Sequence, residues 1–319
     1  MRALITGGAG FIGSHLADRL VERGDQVILL DDLSTGRLAN IEHLEGRADV
    51  EFVLGSVLNA DLVDHVVSRS EVVYHLAAAV GVNLIVEKPL ESLMTNIRGT
   101  EVVVEKSHKY GKRILVASTS EIYGKNVSDR LSEDDDRILG SPLKSRWSYS
   151  EAKAIDEILA YTYWREKGLE TVIVRLFNTV GPRQTGSYGM VIPRFVTQAL
   201  RGEPVTVFGD GSQTRCFCAV QDIVGGILAL SEEEAALGRV FNLGGLGEIS
   251  MADLAERVVE LAGSSSPIEY IPYDVAYEEG FEDMKRRVPD VTRAHDLVGF
   301  QPTQDLDAII MAVIEDQRR

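Results

Sequence analysis

The chain has 319 residues, 45% apolar and 26% charged, enough to bury one large α/β core or two that share an interface. Its net charge of −16 at pH 7 excludes the broad basic surface that nucleic acid or an anionic membrane requires, so an anionic ligand must be held by a few local cations. No window approaches the roughly 18 consecutive apolar residues of a membrane helix, and the first residues read as a strand, without a signal peptide's apolar stretch or cleavage site; the expectation is a cytoplasmic protein.

In chain order, strand patterns run over Arg2–Thr6, Gln26–Leu30, Glu51–Leu54, Val72–Leu76, Arg113–Ala117 and Thr171–Leu176. They are continuous Val, Ile and Leu runs with little polar alternation, as in a parallel sheet covered on both faces. Helical patterns lie between them at Ile12–Arg23, Ala60–Val67, Glu91–Lys109 and Tyr149–Glu166. The alternation predicts an α/β fold with a doubly wound parallel (Rossmann) sheet. After Asn178 the rhythm loosens, with strands at Val205–Phe208, Thr214–Ala219 and Val240–Asn242 and helices at Val191–Arg201, Gln221–Leu230 and Met251–Leu261. The expected division is a dinucleotide-binding domain over 1–177 and a smaller, loop-rich substrate lobe over 178–319, with the chain free to cross back to the sheet. Cys216 and Cys218 are the only cysteines and sit two apart in a strand pattern, so they should share a face. They make no disulfide framework, fit a reducing cytosol, and with the histidines scattered predict no metal site.

Gly7-Gly8-Ala9-Gly10-Phe11-Ile12-Gly13 follows the first strand and opens the first helix. Glycines there permit a tight turn, close approach of a pyrophosphate to backbone N–H groups, and close helix–strand packing. A tight turn without a ligand also selects glycine. Here, however, the second strand ends at Asp31, where a carboxylate accepts bonds from ribose hydroxyls and repels a 2′-phosphate, and no Arg precedes Arg37, so NAD is favoured over NADP.

Tyr149 and Lys153 stand four apart at the start of a predicted helix and so share a face. Beside an ammonium and a nicotinamide cation, the phenol is expected to lose its proton more readily and to accept one from a sugar hydroxyl. Thr119 follows the fifth strand, at the end where ligands of such sheets bind; strand-end capping is its bland reading. Glu121, two residues on, reads either as a working carboxylate or as a solvated loop residue or cap.

The glycine loop, His75-Leu76-Ala77-Ala78, Thr119-Ser120-Glu121-Ile122-Tyr123-Gly124, Tyr149 with Lys153, Arg175-Leu176-Phe177-Asn178-Thr179, Gly181-Pro182-Arg183, and Phe208-Gly209-Asp210-Gly211 leading to Thr214-Arg215 resemble, nearly end to end, the extended short-chain dehydrogenases acting on nucleotide sugars. The chain looks most like UDP-glucuronate decarboxylases of the UDP-xylose synthase type and the decarboxylase that makes a 4-keto-pentose for lipid A modification. It is similar also to UDP-hexose 4-epimerases. The resemblance implies that Gly7, Gly10, Phe11, Ile12 and Gly13 form the pyrophosphate loop and Asp31 the ribose carboxylate. It implies that Thr119, Tyr149 and Lys153 are the catalytic trio, with Tyr149 and Lys153 also meeting NAD. Thr119 and Ser120 would meet the sugar, and Asn178, Arg215 and Arg287 would hold the UDP part, the arginines as partners of the diphosphate; Phe208 would line the uracil pocket. Arg194 is assigned no side. A homodimer through the helices at Glu91–Lys109 and Tyr149–Glu166 is implied as well. The chain departs from the epimerases at Ser56, where they often carry a carboxylate near the adenine, and at Glu121, where they carry a small or neutral residue.

All candidate reactions begin with oxidation at C4. In a uronic acid the resulting 4-keto sugar is a β-keto acid, which loses CO2 readily, and Glu121 would destabilise the neighbouring carboxylate or position a proton for C5. In the 4,6-dehydratases that the chain also resembles, the glutamate usually stands beside an aspartic acid where Ser120 is here, which disfavours dehydration, although GDP-mannose dehydratases resemble this Thr-Ser-Glu too. A plain 4-epimerase has no evident use for Glu121. The sequence therefore favours decarboxylation of UDP-glucuronate, with 4-epimerisation of a UDP-sugar as the rival. A silent NAD-sensing protein on this fold would be expected to lack Tyr149 or Lys153, and both are present.

Overall fold

The computed structural model describes residues 1–79, 89–144, 147–186, 190–276, 284 and 286–318. Strands β1 (Arg2–Thr6), β2 (Gln26–Asp31), β3 (Val50–Leu54), β4 (Val72–His75), β5 (Arg113–Thr119) and β6 (Thr171–Leu176) lie side by side in one parallel sheet. Their unbroken apolar runs have a direct cause. Leu4 and Ile28 enter the core on one face, while the next residues, Ile5 and Leu29, enter the core on the other. Helices α1 (Phe11–Glu22), α2 (Ala60–Ser68), α3 (Pro89–Lys109) and α4 (Ser148–Lys167) cover the two faces; α2 packs on α3, and α3 on α4.

The second half adds β7 (Thr179–Val180), α5 (Val191–Arg201), β8 (Val205–Phe208), β9 (Thr214–Cys216), β10 (Cys218–Ala219), α6 (Val220–Glu232), β11 (Arg239–Leu243), β12 (Glu248–Ser250), α7 (Met251–Ala262) and β13 (Ile268–Ile271). Here the chain does cross back. β11 pairs in parallel with β6, giving the sheet order β11-β6-β5-β4-β1-β2-β3, and α6 joins the core beneath α1. A separate core forms where α5, α7 and the helix Leu306–Gln317 bury Phe195, Leu254 and Ile310.

The single strand expected over 214–219 is two. β9 pairs antiparallel with β12, and β10 pairs in parallel with β7. Between them the Phe217 carbonyl passes so close to Gly245 that a Cβ there would lie 1.9 Å from its oxygen. Cys216 and Cys218 thus belong to different ladders rather than one shared face, and both are buried free thiols. Burial raises both, Cys216 to about 11. Among the described residues no helix is long and apolar enough to cross a membrane.

Candidate active site

A cavity of about 490 Å³ opens along the C-terminal ends of the strands, where parallel sheets bind ligands. Every residue that the sequence assigned to catalysis, cofactor or substrate lines it, from Gly7 and Asp31 through Thr119 and Tyr149 to Asn178, Phe208, Arg215 and Arg287, except Lys153.

At one end the three glycines have separate causes. Gly7 has φ +73°, and a Cβ on it would lie 2.9 Å from the Ala77 nitrogen; a Cβ on Gly13 would lie 2.1 Å from the Gly7 carbonyl oxygen. Those two close the turn onto the sheet. Gly10 caps α1 with no side chain of its own, leaving the first N–H groups of the helix to face the cavity. Asp31 accepts from the N–H of Ala9 (2.9 Å) and of Leu33 (2.8 Å). Burial pushes its pKa up, and those N–H bonds pull against the rise. Gly36 fits only because it has no side chain, since a Cβ would lie 2.7 Å from the carboxylate. A side-chain-free cradle at a helix N-terminus, with a carboxylate at the end of the second strand, fits a dinucleotide. Spacing alone did not pick out Gly36, nor Arg37, which reaches Thr185 Oγ1 (3.1 Å) at the cavity wall.

In the middle, Thr119 is the last residue of β5, and its Oγ1 accepts the N–H of Glu121 (3.1 Å) at the start of a short 3-10 turn, Ser120–Tyr123. The hydroxyl caps the turn and keeps its own hydrogen to donate. Ser150 ties the start of α4 to that turn by donating to the Glu121 carbonyl (2.9 Å). Below, Arg175 makes a bidentate pair with Glu157 (2.9 and 2.8 Å) and donates to the Tyr123 hydroxyl (2.9 Å), which locks β6 to α4 beneath the reacting groups.

Tyr149 departs from expectation. Burial pushes its phenol above the ordinary value, and the carboxylates of Glu121 and Asp156 add to the rise. One turn on, Lys153 Nζ lies 2.7 Å from Asp156 Oδ2, inside α4's buried face.

At the far end, Arg287 donates to Glu121 Oε1 (2.6 Å), to Asn178 Oδ1 (3.3 Å) and to Ser120 Oγ (3.4 Å). Glu121 is therefore no solvated loop carboxylate. Arg287, expected at the diphosphate, is bonded here to Glu121, Asn178 and Ser120. Arg215 occupies the same cavity wall, and the Arg194 guanidinium stacks 4.3 Å over the Phe208 ring. Sequence gave Arg194 no side because its helix position does not fix which wall it faces.

The family model described as GDP-mannose 4,6 dehydratase matches residues 4–313. The chain is 42% identical to the UDP-N-acetyl-alpha-D-glucosaminuronate decarboxylase of Bacillus cytotoxicus, over 94% of this chain and 92% of that one. It is 36% identical to UDP-glucuronic acid decarboxylase 1 of Arabidopsis thaliana, over 100% of this chain and 70% of the relative. Among solved structures, UDP-glucuronic acid 4-epimerase from Bacillus cereus, in complex with UDP-glucuronic acid and NAD, superposes with a TM-score of 0.89 at 30% identity, covering 100% of this chain and 99% of its own.

Proposed function

The chain belongs to the GDP-mannose 4,6 dehydratase family, within the extended short-chain dehydrogenases, and from that premise we propose that it decarboxylates a UDP-linked hexuronate, with NAD as its cofactor. The observation that carries this reading is the Glu121–Arg287 pair, set beside Thr119, Ser120 and Tyr149 in one cavity. An acid–base pair at the sugar serves decarboxylation and has no role in returning a hydride to a ketone. The relatives named for UDP-glucuronate and for its 2-acetamido counterpart share this reaction and differ at the sugar's second carbon.

NAD, when bound in the glycine cradle, supplies the acceptor for the C4 hydride and the donor that returns it. Tyr149 takes the C4 hydroxyl proton, and Thr119 donates a hydrogen bond to the same oxygen. With C4 a ketone, the C5–C6 bond breaks, its electron pair passes into the C4–C5 enolate, and C6 leaves as CO2. Glu121, held at the sugar by Arg287, repels the substrate carboxylate before that step and then orients a solvent water, which gives its proton to C5 and leaves as hydroxide. Tyr149 finally returns the proton to the C4 oxygen. With Arg287 engaged by Glu121, Arg215 is the diphosphate's main cation, while Phe208 and Arg194 flank the base and Asn178 fixes the wall between them.

The division at residue 177 belongs to the same proposal: the N-terminal part holds NAD and 178–319 the nucleotide sugar, apart from the segment that returns to the sheet. So do a cytoplasmic location, supported by the two buried free thiols, and a homodimer. Leu90 and Met94 on α3 and Ile155, Ile158 and Tyr161 on α4 are exposed apolar side chains on two helices packed together. Sedimentation of Ile158→Glu should give a monomer; an unchanged dimer would place the interface elsewhere.

The rival, 4-epimerisation, draws support from the Bacillus cereus neighbour. UDP-glucuronate and its 2-acetamido form, labelled at C6, decide between them. Labelled CO2 and a pentose nucleotide are expected, whereas a galacto-configured hexuronate retaining its label would overturn the reading.

A further inference from the structure

Lys153 and Asp156 lie one turn apart on α4, with side chains 2% and 0% exposed. One carboxylate oxygen accepts from the ammonium at 2.7 Å; the other, Oδ1, is buried with no hydrogen-bond partner. Such a placement is costly, because two charges leave water and only part of the carboxylate's bonding is recovered. Helix formation does not ask for it: Asp is a poor interior residue, and an apolar side chain would fill the space at lower cost. What Asp156 does meet is an ammonium that would otherwise be buried without a counter-ion, and a group in that position sheds its proton. A neutral Lys153 would then do nothing to favour the Tyr149 phenolate.

We propose that Asp156 is a positioning residue of the catalytic pair: it keeps Lys153 an ammonium and holds it one helical turn from Tyr149. This rests on the reading of Tyr149 and Lys153 as the proton-transfer pair. The other charged groups around them are already committed. Glu121, on the turn after β5, is bonded to Arg287; Glu157 of α4 is taken up by Ser118 of β5 and Arg175 of β6. His75 of β4 is enclosed by hydroxyls, Thr6 on β1 and Thr100 on α3. Among the described residues, Asp156 is the carboxylate recorded in contact with Lys153. Its negative charge also opposes Tyr149 ionisation directly, so its benefit must come through the lysine.

Asp156→Asn keeps the shape and removes the charge. With lysine labelled by carbon-13 at Cε, the Lys153 signal, identified by its loss in Lys153→Ala, follows protonation without any substrate. Expected is a lysine signal that responds at lower pH in Asp156→Asn than in the wild type, and NADH formation at neutral pH reduced by about tenfold or more. A folded Asp156→Asn protein with an unshifted lysine titration would overturn the proposal. Stability gives a second reading should that variant fail to fold: Asp156→Leu alone should destabilise, and adding Lys153→Met should restore the melting temperature. No restoration would also count against a counter-ion role. If the lysine shifts but no UDP-hexuronate turns over, the reaction assigned above fails and Asp156 keeps its role.

Discussion

The two ends of the crevice are held by different kinds of bond. At the glycine loop, Asp31 is fixed by backbone N–H groups 22 and 2 residues away, in a seat that Gly36 leaves open. At the sugar end, Glu121 is fixed by a guanidinium 166 residues later in the chain, which also leans on Asn178, 109 residues from it. Backbone donors come with the turn that local chemistry has already folded. A guanidinium has to be delivered by a distant segment, and exchanging one side chain can redirect it. On the proposed assignment, the cofactor end is thus constrained as a unit, and the sugar end is the part that rests on contacts between distant segments.

The largest effect is expected where the two ends meet. Tyr149→Phe should lower turnover by about 10²- to 10⁴-fold with NAD and UDP affinity nearly unchanged, because only the proton acceptor is lost. Turnover near wild type would remove the phenol from the mechanism and the point of contact between the two ends.

Next come Glu121→Ala and Arg287→Ala, which test whether the sugar end acts as one unit. Each should slow CO2 release by about 10²-fold while NADH from the first oxidation accumulates, and the double variant should be no worse than the poorer single one. Additive losses would mean that Arg287 acts separately, at the diphosphate. CO2 release that survives in Glu121→Ala would return the glutamate to the status of a cap.

This contrast also explains what the sequence made legible. The six parallel strands, the glycine loop, Asp31 and the Tyr149/Lys153 helix follow from local periodicity and spacing, and they lie within a residue or two of expectation. Thr119 does cap the turn after β5, and the cap leaves its hydroxyl hydrogen available, so that bland reading does not exclude the functional one. Illegible were features set by what packs against what: the break at Phe217, which sheet edge the returning strand β11 joins, the stacking of Arg194 on Phe208, and the partner of Lys153. The rise at Tyr149 was illegible for the same reason, because its burial and the nearness of the Glu121 and Asp156 carboxylates are set by packing rather than by spacing. An acidic residue on the buried face of a catalytic helix was the available signal.

A smaller effect probes the cofactor end. Asp31→Ala should weaken NAD by about tenfold or more, the loss of charge-assisted bonds to ribose hydroxyls, and should narrow its margin over NADP. Calorimetry with both cofactors measures this, and UDP affinity should not move. Equal NAD affinity in the variant would mean that the carboxylate serves only the N–H groups of Ala9 and Leu33.

The smallest effect at neutral pH concerns the floor of that same end. His75 joins β1, β4 and α3 through Thr6 Oγ1 at 2.8 Å from Nδ1 and Thr100 Oγ1 at 3.0 Å from Nε2. Burial, reinforced by the Lys153 ammonium, lowers its pKa from the ordinary 6.5 to about 3. The folded state therefore refuses a proton that the unfolded chain accepts. Above pH 6.5 neither state binds it and the contribution to stability is complete; between 6.5 and about 3 it is lost progressively as the pH falls. The slope cannot exceed about 1.4 kcal/mol per pH unit from this one group. Urea unfolding at a series of pH values should show that acid sensitivity in the wild type and a flatter curve in His75→Gln, which has no proton to refuse. Because His75 braces the strands beneath the glycine loop, NAD affinity should fall with acid before UDP affinity does. Parallel loss of both would show that the two ends unfold together and would erase the distinction drawn between them. An unchanged pH slope in His75→Gln would assign the acid sensitivity to another group.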